Sequence, residues 1–207
     1  MIPSKTPKLV SQFFGKYIWE KPNDRQEVFL TFDDGPIPEV TPWVLNLLSK
    51  YNVKATFFCV GENIEKHPDI FKRLIDEGHQ IGNHTFNHLS GWKVSVENYM
   101  ENIKKTEKVL RNHNLKTKLF RPPYGKLKPA QAKAVTQLGY DIYMWSILSK
   151  DYNPKLEANK VYQNLMQTKS GSIIVCHDNI KAFGHLQKVL PKAIEELQGK
   201  GFMFKTL

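Results

Sequence analysis

The chain has 207 residues, of which 41% are apolar and 24% are charged. These values fit one globular domain with a single core and exclude a disordered chain, a collagen-like repeat or a disulfide-dense miniprotein. The net charge of +10 favours anionic partners, which could be acidic glycans, nucleic acid or a membrane surface. Nucleic acid is the least favoured, because the lysines are scattered and no zinc-finger spacing, RNA-binding signature or phosphate-binding loop is present.

Residues 1–26 are predicted to form an extended or partly helical lead-in segment, interrupted by Pro3, Pro7 and Pro22. No apolar run in the chain suits a secretory signal or a membrane span. The sequence therefore predicts a cytoplasmic location, or the cell envelope if another route exports the protein. Cys59 and Cys176 each lie inside an apolar run, which favours two buried thiols over a disulfide.

From residue 27 to residue 207 short apolar strands alternate with amphipathic helices, without a linker or repeat, and we interpret this range as one catalytic domain. The predicted strands are 28–32, 55–60, 80–82, 118–120, 140–146, 172–176 and 202–204. The predicted helices are 41–51, 69–77, 94–112, 129–138, 156–168 and 186–198. Strands that alternate with helices predict right-handed βαβ units and a mainly parallel sheet.

Polar side chains with chemical potential follow several of these strands. They are Asp33, Asp34, His84, His88, Arg121, Asp151 and His177. Function distributed over the ends of many strands is typical of a barrel, whereas an open doubly wound sheet concentrates it at one switch point. The predicted fold class is therefore α/β, as a distorted (β/α) barrel of about seven parallel strands.

The first motif is Thr-Phe-Asp-Asp-Gly-Pro at residues 31–36. At the end of a strand, with Gly35 loosening the backbone, both carboxylates can turn toward one site. One of two close carboxylates can stay ionised on a metal while the other acts as a base. The alternative is a simple turn that ends the strand, since Asp-Gly is a common turn signal.

The second motif is His-Thr-Phe-Asn-His at residues 84–88. Histidines four apart share one face of a helical turn, so both imidazoles can reach one ion. With one carboxylate they form a three-ligand site that leaves positions open for water and substrate. The alternative is a pair of surface or capping histidines. The remaining histidines have no such partner and are interpreted as structural; they are His67, His79, His113 and His185.

Two further motifs follow later strands. In Arg-Pro-Pro-Tyr-Gly at residues 121–125, the prolines suit a rigidly held guanidinium that keeps a catalytic carboxylate ionised; the alternative is a proline-rich turn with a surface arginine. In Val-Cys-His-Asp at residues 175–178, His177 could act as a general acid close to Asp151. A nucleophilic Cys176 paired with His177 is disfavoured because neighbours on a strand face opposite ways.

From about Glu27 to the C-terminus the chain resembles the polysaccharide deacetylase family, also called the NodB-homology domain or carbohydrate esterase family 4. TFDDGP, HTFNH and RPPYG are similar to its first three motifs. The resemblance implies a distorted (β/α) barrel and a metal-dependent hydrolase that removes acetyl groups from N-acetylated sugars of the chitooligosaccharide or peptidoglycan type. It implies zinc as the metal, with cobalt, manganese, nickel or iron as alternatives.

The resemblance also implies residue roles. Asp33 is the expected general base, oriented by Arg121, and the expected metal ligands are Asp34, His84 and His88. His177 is the expected general acid, tuned by Asp151, and the backbone N–H of Tyr124 the expected oxyanion donor. The expected substrate contacts are Pro123, Tyr124, Trp145 and Val175, the last two around the acetyl methyl.

The later motifs depart from the family pattern at Leu148, Tyr152 and Val175, which predicts reshaped substrate pockets rather than lost machinery. Two other functions stay open at this point. One is hydrolysis of a small cyclic amide or ureide on the same metal site. The other is non-catalytic carbohydrate binding, which loss of Asp33 or of a metal ligand would have favoured.

Overall fold

The computed structural model describes residues 3–207 of the chain. Its strands are β1 (Glu27–Asp33), β2 (Thr56–Cys59), β3 (Gln80–Asn83), β4 (Leu119–Phe120), β5 (Asp141–Ile142), β6 (Ile147–Leu148), β7 (Ile173–His177) and β8 (Met203–Phe204). Its helices are α1 (Lys8–Phe13), α2 (Thr41–Lys50), α3 (Gly61–Lys66), α4 (Pro68–Asp76), α5 (Val96–Asn112), α6 (Pro129–Gln137), α7 (Ala158–Leu165) and α8 (Ile180–Gly199).

Seven strands form one parallel sheet in the order β5-β4-β3-β2-β1-β7-β6, and β8 pairs with the start of β1. The two outermost strands, β5 and β6, are separated by only four residues of chain. A flat sheet of this order would place them roughly 29 Å apart, whereas the connection reaches about 18 Å at most. The sheet must therefore curl on itself, and the predicted distorted (β/α) barrel is confirmed.

The alternation of side chains along β1 and β7 decides which residues reach the interior of the barrel. Leu30, Phe32 and Cys176 pack in the cluster that also holds buried residues of α2, α4, α7 and α8. Phe29 and Val175 belong to a second cluster on the opposite, inner face of the sheet. The period of two places Asp33 and His177 on this inner face as well, next to each other in the register of β1 and β7.

Both cysteines are buried free thiols in the layer between sheet and helices, so the prediction of two thiols without a disulfide is confirmed. Burial raises the pKa of the Cys176 thiol well above its usual range. A neutral thiol on the helix side of the sheet cannot act as the nucleophile beside His177.

The lead-in segment fills the gap between the two outermost strands. Ser4 O accepts from Leu148 N and Thr6 N donates to Ser146 O, next to β6. Ile18 N donates to Ile142 O and Ile18 O accepts from Met144 N, next to β5. The lead-in segment thus pairs with the backbone beside both outer strands, although it contains little regular strand itself. In the described part of the chain, no helix has the length and apolarity that a bilayer crossing needs.

Several predicted element boundaries were wrong. Of the predicted strand 140–146 only β5, Asp141–Ile142, is a strand; the chain then crosses to the opposite edge of the sheet, where the unpredicted β6 begins at Ile147. Helix α3 was not predicted, and α8 begins at Ile180 rather than at 186. It begins earlier because the Asn179 side chain accepts a hydrogen bond from Ala182 N and caps the helix.

Candidate active site

A cavity of about 630 Å³ opens at the carboxyl ends of the strands. Its lining includes Asp33, Asp34, His84, His88 and His177. These residues come from the ends of β1, β3 and β7, which is where a parallel barrel gathers its chemistry. The predicted site residues thus converge on one pocket.

Asp34, His84 and His88 form the one group of metal-binding side chains of this kind within residues 3–207. One ligand atom from each lies within 4.8 Å of the others. Nε2 of His88 is 3.1 Å and Nε2 of His84 is 3.6 Å from Oδ1 of Asp34. One carboxylate oxygen and two imidazole nitrogens form an open three-ligand set for a divalent ion.

Both imidazoles are oriented for coordination through Nε2. Nδ1 of His84 lies 2.8 Å from the carbonyl oxygen of Arg121, to which it donates, and this fixes Nε2 as the unprotonated nitrogen of the neutral ring. Nδ1 of His88 lies 3.1 Å from the Tyr124 hydroxyl. Such partners on the far nitrogen are typical of metal-ligating histidines.

The Asp34 carboxylate also fits an ion. Its Oδ1 is buried without a hydrogen-bond donor, while Oδ2 accepts from Nδ2 of Asn179 at 2.5 Å. Burial alone raises the pKa of Asp34, but the close His84 and His88 imidazoles and the charge of His177 outweigh burial and hold this pKa well below its usual range. An ionised, desolvated oxygen that faces two imidazoles is complementary to a cation.

Asp33 and Arg121 form a buried ion pair beside this triad. Nη1 of Arg121 donates to Oδ1 of Asp33 at 2.7 Å and to the Thr31 hydroxyl at 2.7 Å. The other guanidinium nitrogens donate to the carbonyl oxygens of Tyr143 and Met144. Four of the five N–H donors of the planar guanidinium thus find acceptors, on β1 and on the segment that follows β5, which locks the position of the Asp33 carboxylate.

The guanidinium of Arg121 stacks on the ring of Phe58. The guanidinium carbon of Arg121 lies 4.0 Å from the ring centre of Phe58 on β2. Gly82 on the neighbouring strand leaves room for this ring, because a Cβ at Gly82 would lie 2.4 Å from Phe58 Cδ1. The position of the guanidinium therefore depends on a glycine two residues before His84.

His177 faces the same cavity from β7. Its Nδ1 donates to Oδ1 of Asp151 at 2.7 Å, and its backbone N–H donates to Oδ2 of the same carboxylate at 2.8 Å. Burial lowers the pKa of His177, but the Asp151 charge and hydrogen bond outweigh it and raise this pKa to about 9. The imidazole therefore carries a proton at neutral pH that it can donate, as a general acid must.

The Asp178 carboxyl group hydrogen-bonds to the loop of the first motif, residues 31–36. Its Oδ1 accepts from Gly35 N at 3.0 Å, and its Oδ2 lies 2.6 Å from the Thr41 hydroxyl. A Cβ at Gly35 would clash with this carboxyl group at 1.9 Å. Burial raises the pKa of Asp178 to about 8, so the group is neutral at pH 7 and fixes the loop that carries Asp34.

The backbone at the site is left-handed at several residues that are not glycine. The angle φ is 86° at Asp34, 57° at His88 and 61° at Tyr124. Such conformations cost of order 1 kcal/mol or more each and persist where the surrounding contacts impose them. The predicted helical turn at 84–88 was wrong: this segment is a bend, with Thr85 also left-handed at φ 65°.

Tyr124, Trp145 and Val175 line the cavity, together with Leu148 and Tyr152, where the chain departs from the family pattern. The Tyr152 ring packs edge-on against His177, with 4.9 Å between the ring centres. Pro123 is buried and does not line the cavity. Among the predicted substrate contacts it is thus the one that the structure places away from the pocket.

Sequence reasoning missed four polar residues that hold the site: Thr31, Asn63, Asp178 and Asn179. Asn63 donates through Nδ2 to the Asp34 carbonyl oxygen at 2.7 Å from the unpredicted helix α3. Thr31 and Asp178 lie inside the recognised motifs and Asn179 follows the last of them, which was the available signal. Asn63 lies in no motif and offered none. His185, interpreted as structural, lies within hydrogen-bonding distance of the carbonyl oxygens of Asp151 and Leu156.

The fold and the site define a class: a (β/α)-barrel hydrolase with a three-residue metal site between an anchored carboxylate and a protonated imidazole. Comparison with known proteins makes the assignment more specific. The family model for polysaccharide deacetylase matches residues 20–143. The chain is 42% identical to a peptidoglycan-N-acetylglucosamine deacetylase of Bacillus cereus over 92% of this chain and 70% of the relative.

Solved structures agree with this. The crystal structure of Bc1960 peptidoglycan N-acetylglucosamine deacetylase matches with a TM-score of 0.89 at 39% identity, over 98% of this chain and 95% of that one. A mutant of BA3943, described as a pseudoenzyme of carbohydrate esterase family 4 with restored activity, matches with a TM-score of 0.82 at 25% identity, over 92% and 69%. The chain belongs to the polysaccharide deacetylase family, whose deacetylases depend on a metal.

Proposed function

We propose that this protein removes the acetyl group from N-acetylglucosamine residues of a glycan of the peptidoglycan type and releases acetate. The observation that carries the proposal is the register of β1 and β7, which pairs Asp33 with His177 beside the ligand triad. A carboxylate held by Arg121 and an imidazole held by Asp151 thereby face one pocket. The names of the Bacillus cereus relative and of the Bc1960 crystal structure support N-acetylglucosamine as the sugar.

We propose zinc as the metal, held by Asp34, His84 and His88, because an imidazole-rich set with one carboxylate and open positions suits it. Cobalt, manganese, nickel and iron also bind such sets. A divalent ion in this place supplies a Lewis acid that polarises the acetamide carbonyl and lowers the pKa of a water molecule. The remaining chemistry belongs to the side chains of the chain itself.

Asp33 is the base in this mechanism. Its carboxylate accepts a proton from the attacking water, while the hydrogen bond from Arg121 holds it in place. The water oxygen attacks the carbonyl carbon of the acetamide, and the Tyr124 N–H donates to the oxygen that becomes negative. The left-handed backbone of Tyr124 fits a residue held for a function rather than for folding.

His177 is the acid. Its Nδ1 is occupied by Asp151, so Nε2 delivers the proton to the nitrogen of the departing amino sugar as the C–N bond breaks. The products are acetate and a free amine. Trp145, Leu148 and Val175 provide the apolar wall against which the acetyl methyl packs.

The test is acetate release from N-acetylglucosamine oligomers and from peptidoglycan by metal-stripped protein, with and without added zinc. An Asp33→Asn variant, which keeps the shape of the side chain but not its basicity, is the matched control. We expect release that requires metal and falls by at least about a hundredfold in the variant.

Two outcomes would contradict the proposal. If neither substrate releases acetate while one zinc ion binds per chain, the acetylated glycan is the wrong substrate class and a small cyclic amide becomes the next candidate. If Asp33→Asn retains full activity, Asp33 is not the base.

A further inference from the structure

Helix α1 presents its apolar side chains to solvent. Leu9, Val10 and Phe13 fall within about 100° of the helix circumference, and Phe14 follows directly. The exposed fractions are 79% for Leu9, 37% for Val10, 85% for Phe13 and 44% for Phe14. No residue of α1 is buried. Surface helices of globular domains turn such a face toward the core, so an outward apolar face marks an interaction surface.

This face is held in a defined position. Before α1, Thr6 donates through its backbone N–H to Ser146 O and through its hydroxyl to Trp145 O. After α1, Ile18 pairs with Tyr143 in a parallel bridge. The Trp19 indole N–H also donates to the Phe14 carbonyl oxygen. Because both flanks are hydrogen-bonded to the barrel, α1 is a fixed protrusion of the domain.

The charge around α1 is uniformly positive. Residues 3–19 contain Lys5, Lys8 and Lys16 and no acidic residue, and all three lysines are exposed. Lys169 adds a fourth ammonium group close to Lys5: burial first, and then the charges of Lys169 and Lys8, lower the pKa of Lys5. Glu20 is the one acidic group that opposes this trend at Lys5.

We propose that α1 and the adjoining Phe14 bind the surface of a bilayer that contains anionic lipids. Phe13 and Leu9 insert at the boundary between headgroups and acyl chains, and the lysines contact the lipid phosphates. Apolar residues beside a basic rim are the composition of interfacial helices. A second copy of the chain fits less well, because two such faces would bring six lysines together. The inference is independent of the proposed activity.

The experiment is co-sedimentation of the protein with vesicles of phosphatidylcholine mixed with phosphatidylglycerol, and with vesicles of phosphatidylcholine alone. We expect binding to the anionic vesicles that weakens at high salt. Leu9→Ser/Phe13→Ser should bind at least about tenfold more weakly, since two apolar side chains no longer leave water. Leu138→Ser/Met203→Ser, which changes two exposed apolar side chains elsewhere, should bind like the wild type.

A third variant, Lys5→Gln/Lys8→Gln/Lys16→Gln, should lose the preference for anionic vesicles. Thermal unfolding of each variant confirms that the fold is intact. The proposal is overturned if the protein stays in the supernatant with anionic vesicles, or if Leu9→Ser/Phe13→Ser binds as tightly as wild type. It is also overturned if sedimentation equilibrium shows a dimer that this double substitution dissociates without any vesicle binding.

Discussion

Arg121 and Asp33 are joined by a 2.7 Å hydrogen bond, and their side chains are only 0% and 6% exposed. The guanidinium charge is therefore compensated by Asp33, the Thr31 hydroxyl and backbone carbonyls rather than by solvent. A buried pair of this kind is worth little as a source of stability, but the loss of one member leaves an uncompensated charge. The pair thus couples the position of the base to the stability of the barrel.

Removal of the guanidinium should destabilise the protein severely. We expect Arg121→Met to lower the free energy of unfolding by about 3–5 kcal/mol, because Asp33 is left buried and unpaired. Arg121→Met/Asp33→Asn should recover a large part of that loss. Denaturant unfolding of the two single variants and the double variant measures the coupling. Additive effects in this cycle would contradict the interpretation.

The pKa of His177 should depend on Asp151. In metal-free protein we expect an NMR titration to give a value near 9, and a clearly lower one in Asp151→Asn, since burial then acts without the opposing charge. Because the folded pKa exceeds the ordinary value of 6.5, the associated stability is fully present below about pH 6.5 and is lost as the pH rises through 9.

The same coupling predicts a pH-dependent effect on unfolding. Asp151→Asn should cost about 2–3 kcal/mol more below pH 6 than above pH 9. Thermal or denaturant unfolding of metal-free wild type and variant at both pH values measures the difference. An equal cost at both would mean that Asp151 acts on His177 through packing alone.

Asn179 should position Asp34 for metal. Asn179→Ser keeps a good helix cap for α8 but cannot reach Asp34, so we expect near-normal stability and about 10–100-fold weaker zinc binding. Asn179→Ala should add a loss of about 1 kcal/mol from the missing cap. Competition with a chelator measures the zinc affinity, and thermal unfolding measures the stability. Unchanged zinc affinity in the serine variant would exclude the positioning role.

Asp178 should behave as a neutral group below about pH 8. The folded pKa of about 8 lies above the ordinary 3.8, so the unfolded chain releases the proton first, and wild-type stability falls as the pH rises from about 4 to about 8. Asp178→Asn retains the hydrogen bonds to Gly35 and Thr41 without this penalty. Relative to wild type, the metal-free variant should gain about 3–4 kcal/mol between pH 5 and pH 8.

Denaturant unfolding at the two pH values tests the prediction. Asp178→Ala, which loses both hydrogen bonds, serves as the control and should be less stable than wild type at both. A stability difference between Asp178→Asn and wild type that does not change with pH would show that the carboxyl group is ionised in the fold.

Gly82 should be intolerant of a side chain. Its Cβ would meet Phe58 at 2.4 Å, which forces the ring away from Arg121. We expect Gly82→Ala to cost about 1–3 kcal/mol of stability, as overpacking does, and to reduce acetate release through the displaced guanidinium. Gly82→Ala/Phe58→Leu should restore part of both, as measured by unfolding and initial rates. Full activity in Gly82→Ala would contradict the role of the stack.

The sequence predicted the barrel and the convergence of its motifs because both depend on short-range signals. Alternating strands and helices imply a parallel sheet, and Asp33, His84 and His177 each stand at a strand end, where such a sheet collects side chains. The expected opposite directions of Cys176 and His177 follow from strand geometry alone. Confirmation of the family then came from motifs that are contiguous in the chain.

What the sequence did not reveal depends on contacts between distant segments. The left-handed backbone at Asp34 and His88 is imposed by neighbours such as Asn63 and Tyr124, and no local propensity announces it. The end of the predicted strand 140–146 at Ile142, after which the chain crosses to β6, reflects the curl of the whole sheet. The structural role of Gly82 appears only once Phe58 and Arg121 are stacked above it.

The lead-in segment protects this protein from self-association through its sheet edges. Ser4 and Thr6 cover the backbone beside β6, and Ile18 covers the backbone beside β5. Those rows of amide and carbonyl groups would otherwise be free templates for strand addition by another molecule. The lead-in segment thus protects two sheet edges. A copy of the chain in which this segment has not yet paired with the outer strands exposes both edges and is prone to aggregate.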